Sequence, residues 1–255
     1  MQRIYPAQEH IRGIHQIIAA YAYPTDGSPY VRANMVATLD GAAWGPNHRS
    51  GTISSAPDRE VFAVLRALAD VILVGAETAR RERYGPAVTS TELAGHRAAL
   101  GQRSDPVIAV VSRSLDFDPA APLFAEATER TIVLTTESAP RRRRDVLSEL
   151  ATVIVAGATA VDLGAALTAL AGHGLTRVLC EGGPHLLGEI ARAGLLDELC
   201  LTITPQLAGG DAVRILAGSP ALREVELALA HILEENGTLL TRWTGQPAPS
   251  TSARL

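Results

Sequence analysis

Short runs of consecutive apolar residues recur along the chain, and between several of them the apolar positions return every three or four residues. The first run, "VRANMVATL" (31–39), reads as a strand. In "SSAPDREVFAVLRALAD" (54–70), Val61, Leu65 and Leu68 fall on one face and predict a helix. Ser55 can N-cap it, with Asp58 three residues on in a capping-box arrangement. "VILVG" (71–75), "VIAVVS" (107–112) and "TIVLTT" (131–136) predict three more strands. "RRRRDVLSELA" (141–151) predicts a helix that opens on a solvated turn of arginines, and "TVIVAG" (152–157) a strand. "VDLGAALTALAGHG" (161–174) predicts a helix with Leu163, Leu167 and Leu170 on one face and glycines to end it. Val178, Leu179 and Cys180 close another strand, a helical pattern starts at Pro184 and stops at Gly194, and "DELCLTITP" (197–205) is a strand again.

The pattern changes towards the C-terminus. "VELALAHILEENGTLLTRW" (225–243) holds two strand-like runs around Asn236-Gly237, a dipeptide whose residues both accept positive φ in a type I′ turn. The expected fold is therefore α/β: a mostly parallel sheet flanked by helices and ending in an antiparallel hairpin. Neither an internal repeat nor a linker interrupts it. One domain is expected over residues 30–243, with residues 1–29 as an N-terminal extension and 244–255 as a disordered tail.

Composition narrows the chemistry. Of 255 residues, 47% are hydrophobic and the net charge is −4, which gives no general attraction to nucleic acid or to an anionic membrane. The N-terminus lacks a signal-peptide pattern and no apolar run reaches a membrane span, so a cytoplasmic location is expected. All 23 basic residues are arginine. Without lysine there is neither a Walker A loop nor a pyridoxal-phosphate Schiff base. The G-x-S-x-G elbow, H-E-x-x-H, C-x-x-C and the G-x-G-x-x-G fingerprint are also absent, and no metal site is expected. Cys180 and Cys200 sit in apolar runs and read as buried small hydrophobes.

Ligands of open α/β sheets gather at the carboxyl ends of strands. Three such ends are unusual here: "ATLDGAAWG" (37–45), "VGAET" (74–78) and "EGGPHL" (181–186). In the third, Gly182 and Gly183 leave the backbone bare, Pro184 suits a first helical turn, and the free N–H groups beyond it favour an anion such as a pyrophosphate. "VGAET" places a second glycine and a hydroxyl at another strand end, so that the two could flank one dinucleotide across a crevice.

"MVATLDG" (35–41), "LRALADVILVGAETAR" (65–80) and "CEGGPHLLGEIARAGLLDELCLTITPQLAGG" (180–210), in that order, resemble the reductase domain of the riboflavin-pathway pyrimidine deaminase/reductases, which is similar in fold to dihydrofolate reductase. The resemblance runs from about residue 30 to 243. It implies a three-layer fold, NADPH as hydride donor, commonly a homodimer, and reduction of a 5-amino-6-ribosylamino-pyrimidinedione phosphate. Around the cofactor it implies Gly75, Ala76, Thr78, Gly182, Gly183, Pro184 and Leu186, with Ala37 on the strand nearing the nicotinamide. Ser112 and Arg113 follow the strand where this fold reads the adenosine ribose, and they suit a 2′-phosphate. His185 would have at most a minor contact with the cofactor. On the substrate side the matching positions are Asn34, where those enzymes usually carry lysine, and Ser50 and Arg66, which hold the ribose phosphate.

Candidate proton handlers are Glu181, Glu82 and Asp40, carboxyl groups near a closed crevice. Glu82 stands where the family has aspartate, and the Asn-Pro that usually follows is missing. No H-x-E or P-C-x-x-C occurs, so no deaminase accompanies the reductase within the chain. These departures keep two alternatives open: a dihydrofolate or other pterin reductase, and an NADPH-binding protein without turnover.

Overall fold

Strands that are apolar at almost every position must be covered on both faces, and this chain buries three such runs, 71–75, 107–111 and 132–135, side by side in one sheet. The computed structural model describes residues 1–45, 47–218 and 225–245. Its strands are β1 Gln2–Tyr5, β2 Glu9–His10, β3 Tyr30–Thr38, β4 Val71–Gly75, β5 Val107–Val111, β6 Ile132–Thr135, β7 Thr152–Val155, β8 Arg177–Gly182, β9 Glu198–Thr204, β10 Leu227–Glu235 and β11 Thr238–Gly245. The helices are α1 Ile14–Ala20, α2 Ala56–Leu68, α3 Ala76–Arg81, α4 Thr91–Ala99, α5 Pro122–Ala125, α6 Arg141–Leu150, α7 Leu163–Gly172 and α8 Pro184–Arg192. The sheet order is β2-β1-β10-β11-β9-β3-β8-β4-β5-β6-β7. From β9 to β7 the neighbours are parallel; β11, β10, β1 and β2 continue the sheet antiparallel.

Alternation along each strand divides the core in two. Ile72 and Val74 of β4 point to a layer that holds Ile17 of α1, Val61 and Leu65 of α2, Leu93 of α4 and Leu147 of α6. Val71 and Leu73 point to the opposite layer, with Leu167 and Leu170 of α7 and Leu187 and Ile190 of α8. This is the expected three-layer, mostly parallel α/β arrangement. Ser55 caps α2 by accepting from the Asp58 N–H at 3.3 Å, but the Asp58 carboxylate turns to Ser54 Oγ at 2.5 Å instead of closing the box. The hairpin is also as expected: Asn236 and Gly237 have φ of 52° and 76°.

The ends of the chain are more ordered than the apolar pattern alone indicates. Residues 1–29, expected as an extension, are packed on the sheet: β1 pairs with β10, and Ile17 and Ile18 of α1 enter the core. A seven-residue helix and strands of four and two residues are too short to carry a readable period. Thr244 and Gly245, expected to belong to the tail, instead complete β11 opposite Glu198 and Leu227. Residues 246–255 of that expected tail lie outside the described residues. Strand β8 likewise runs on past Cys180 to include Glu181 and Gly182. Cys180 and Cys200 are buried and unbridged.

At the amino ends of β3 and β9, away from the glycine turns, Arg32 and Glu198 form a fully buried ion pair. Arg242 and Tyr30 donate to the same carboxylate at 2.8 Å and 3.0 Å. The charge on Glu198 is thereby matched from the two strands that flank β9, as a buried carboxylate requires.

Candidate active site

Strand β8 is inserted between β3 and β4, so that their carboxyl ends open together at a crossover of the sheet. Gly75 ends β4 and leads directly into α3; Gly182 ends β8, and Gly183 precedes α8. Gly182 has φ +80°, and the Gly182–Gly183 peptide is cis. The Gly183 N–H donates to Thr78 Oγ1 at 2.8 Å, tying the two strand ends together. A Cβ on Gly183 would lie 2.5 Å from that hydroxyl oxygen, so the position has no room for a side chain.

Two cavities flank this tie. The inner one, about 430 Å³, lies between β3, α2 and the segment after α3; Thr78, Glu181, Gly183 and Pro184 form its boundary with the sheet. Glu181 is almost fully buried there, and Arg66 reaches it from α2 with Nε to Oε1 at 2.7 Å and NH2 to Oε2 at 2.6 Å. Tyr84 donates its hydroxyl to the same Oε2 at 2.5 Å. Burial, with the Glu181 carboxylate beside it, holds the Tyr84 phenol well above its ordinary pKa, so it stays a donor. The Arg66 guanidinium rests 4.4 Å above the Phe62 ring. Across the cavity, Glu82 Oε1 accepts from the Ser50 N–H at 3.0 Å and from Ser50 Oγ at 3.2 Å.

The outer cleft, about 580 Å³, is bounded by Gly75, Ala76, Ser112, Arg113, His185 and Leu186 among others. The N–H groups of His185 and Leu186 precede the first helical bond of α8, which runs from Leu187 N to the Gly183 carbonyl at 3.1 Å. At the far end Ser112 Oγ is committed to the Leu115 N–H at 3.0 Å, whereas Arg113 is exposed. Arg143, from the arginine run of α6, donates to the Ser114 carbonyl at 2.9 Å and fixes this loop. Bare glycine backbone, free N–H groups at a helix start and an exposed guanidinium at the opposite end fit a dinucleotide phosphate.

Most of the predicted residues meet here. Asn34, Ser50, Arg66, Glu82 and Glu181 line the inner cavity, Gly75, Ala76, Ser112, Arg113 and Leu186 the outer cleft, and Thr78, Gly183 and Pro184 the wall between them. Gly182 packs against Met35 Sδ behind that wall. Like Gly182, two further predicted residues line neither space. Ala37 is buried in β3, and Asp40 lies in the exposed turn beyond it. The Asp40 carboxylate accepts from the Thr38 hydroxyl and from the N–H groups of Gly209 and Ala208, which lower its pKa to about 2. It clasps the loop after β9 and remains ionised, so a proton-donating role does not suit it.

Residues to which the sequence reading gave no place in this cavity complete the inner wall: Trp44, Arg59, Phe62 and Tyr84, together with Asp58, read only as a helix cap, and Arg81 and Arg83, read only as arginines available outside the crevice to the glutamate tail of dihydrofolate. Arg81 packs 4.9 Å from the Trp44 ring centroid. Tyr84 had one signal, its place directly after the departure from the Asn-Pro pattern.

Comparison with known proteins agrees with this geometry. The RibD C-terminal domain family matches residues 29–239. A 2,5-diamino-6-ribosylamino-4(3H)-pyrimidinone 5′-phosphate reductase of Methanothermobacter thermautotrophicus is 32% identical over 214 residues, covering 83% of this chain and 94% of that protein. The riboflavin biosynthesis protein RibD of Escherichia coli is 27% identical over 203 residues, 78% of this chain but 54% of its own length. Among solved structures, a pyrimidine reductase-like protein of Corynebacterium diphtheriae superposes with a TM-score of 0.81 at 29% identity, covering 91% of this chain and 99% of that one.

Proposed function

The chain belongs to the RibD C-terminal domain family, and from that premise we propose that it is an NADPH-dependent reductase of a ribosylamino-pyrimidine 5′-phosphate. The observation that carries this reading is the Thr78–Gly183 tie, which sets a substrate-sized cavity beside a more open cleft suited to a dinucleotide. The similar archaeal reductase, matched over nearly its whole length, supports the substrate class.

NADPH, when bound, supplies the hydride. The residues that would hold it are Gly75, Ala76 and Leu186 along the cleft, the His185 and Leu186 N–H groups at its phosphates, and Arg113 at the adenosine end. Gly183 adds no side chain to the wall between cleft and cavity, where Thr78 Oγ1 already fills the space a Cβ would take, which allows close approach of donor and acceptor. Reduction of a ribosylamino to a ribitylamino group adds hydride to the ribosyl carbon. It breaks that carbon's bond to the ring oxygen, and the oxygen takes a proton.

Glu181 does not suit proton delivery, since two N–H groups and one O–H already donate to its oxygens. Glu82 keeps Oε2 without a partner among the described residues and lines the same cavity, so it is assigned to hold the proton. Glu181 instead presents its remaining lone pairs to a hydroxyl or N–H of the substrate. The test is NADPH oxidation with the ribosylamino-pyrimidine phosphate as acceptor. Turnover that falls by about 100-fold in Glu82→Gln supports both assignments; absence of turnover in the wild-type chain overturns the substrate reading. A homodimer belongs to the same proposal, and light scattering of the purified chain tests it. No helix among the described residues is long and apolar enough to cross a membrane.

A further inference from the structure

Four arginines and three carboxylates line the inner cavity: Arg59, Arg66, Arg81 and Arg83 against Asp58, Glu82 and Glu181. Positive charge is thus in excess where the reacting molecule sits. Three of the guanidinium groups are engaged within the protein. Arg66 is bidentate to Glu181. Arg81 pairs with Glu77. Arg59 donates to the Ser54 carbonyl at 3.0 Å. Arg83 is exposed at the cavity wall and makes no side-chain hydrogen bond or ion pair among the described residues.

The backbone at Arg83 is unusual. Its φ is +56°, in the left-handed region that disfavours a non-glycine residue. The turn is held from both sides: Glu82 is bound to Ser50, and Tyr84 to Glu181. Main-chain bonds from Arg83 N to Arg80 O at 3.2 Å and from Tyr84 N to Ala79 O at 2.9 Å close it beneath. With its neighbours fixed, the turn cannot relax without releasing them, and the arginine stays at the cavity wall.

We infer that Arg83 forms the phosphate subsite of the inner cavity and receives the phosphate monoester of the substrate. The inference rests on the pyrimidine-phosphate reading above. The family resemblance directs that phosphate to Arg66, but Glu181 neutralises Arg66 and occupies two of its N–H groups. A phosphate dianion needs charge that no carboxylate has already matched, and a guanidinium presents paired N–H groups to two phosphate oxygens. Arg83 supplies both, and it directly follows the proton-holding Glu82 just beyond α3, so one turn carries the group that anchors the substrate and the group that acts on it.

The test compares Arg83→Gln with the wild type, using the ribosylamino-pyrimidine phosphate and its dephosphorylated counterpart. The KM for the phosphorylated substrate should rise about 10- to 100-fold in the variant, the loss of one charge-assisted pair. The kcat, and the KM of the dephosphorylated compound, should stay within about threefold. Equal changes for both compounds, or no change for either, overturn the subsite. A second measurement needs no turnover: quenching of Trp44 fluorescence by ribose 5-phosphate and by ribose, in a Trp243→Phe background. Ribose 5-phosphate should bind the wild-type cavity and bind Arg83→Gln at least about tenfold more weakly, with ribose indifferent to the change. Equal titrations, or no phosphate-dependent quenching in the wild type, sink the subsite. A chain that binds ribose 5-phosphate through Arg83 yet oxidises no NADPH with the pyrimidine would overturn the substrate reading alone.

Discussion

Arg66 and Glu181 stand 115 positions apart in the sequence, yet they join through two parallel hydrogen bonds of 2.7 Å and 2.6 Å at the wall of the inner cavity. The pair locks α2 to the end of β8. It therefore couples stability to the site: whatever loosens it also moves the carboxylate that the substrate meets.

Arg66→Ala leaves a buried carboxylate with only Tyr84 as donor. A loss of about 2–3 kcal/mol is expected, somewhat less than for a fully buried pair because Arg66 is 29% exposed. Tyr84→Phe removes one hydrogen bond to a charged acceptor and should cost about 1.5–2 kcal/mol. Urea denaturation of both variants checks the order. If Tyr84→Phe proved the more damaging, the ion pair would not be the principal restraint on Glu181.

The tie between Gly183 and Thr78 makes a sharper prediction. Gly183→Ala places a methyl group 2.5 Å from Thr78 Oγ1 and no nearer than 3.9 Å to Thr78 Cβ. The single variant should lose NADPH affinity by at least about 100-fold, a shift of the glycine turn being enough to spoil a closely fitted site. Adding Thr78→Ala removes the clashing atom and should restore part of the affinity. Equilibrium binding of NADPH to the two single variants and the double variant measures this coupling; strictly additive losses would mean that the hydroxyl is not what excludes the side chain.

What the sequence made legible follows from where the information is local. Strands β4, β5 and β6 are continuous apolar runs, and Asn236-Gly237 is a turn specified by its own two residues, so each could be read in place. The glycine turn was readable for the same reason. The Arg66–Glu181–Tyr84 cluster was not, because its three members come from α2, β8 and the segment after α3 and become neighbours only when the sheet forms. Asp40 illustrates the converse. A carboxylate at a strand end suits catalysis by position alone, but the loop after β9 returns two N–H groups to it, and no local pattern foretells that. Arg83 lay hidden among many arginines until its neighbours were seen to be engaged.

Selection of NADPH over NADH should depend on Arg113 more than on Ser112. Both line the outer cleft, but Ser112 is buried and its Oγ is committed to the Leu115 N–H, while Arg113 is exposed. Arg113→Ala is expected to raise the KM for NADPH about 10- to 50-fold and to leave that for NADH unchanged, the signature of a lost contact to the 2′-phosphate. Ser112→Ala should act mainly on the loop, with parallel changes for both cofactors. Parallel changes in Arg113→Ala would place the 2′-phosphate elsewhere.

His231 gives the chain a pH dependence distant from the glycine turns. It is buried on β10 with Tyr21 edge-on at 4.8 Å, and its Nε2 has no partner among the described residues. Burial first, and then the nearby Arg242, lower its pKa from 6.5 to about 4. The unfolded chain therefore binds this proton more readily than the folded one. Stability is full above the unfolded value and declines as the pH falls from 6.5 towards 4, with a slope approaching about 1.4 kcal/mol per pH unit. Glu198 and Asp70, whose pKa values are lowered by their arginine partners against the opposing effect of burial, lose their contributions only at more acid pH. They do so alike in a His231 variant. Urea midpoints at about pH 7, 6 and 5 should thus fall in the wild type and stay nearly level in His231→Gln, the measurement being made above the range where the carboxylates protonate. An equal fall in both would assign the slope to another group, with His96, half-buried and also lowered chiefly by burial, the next to replace.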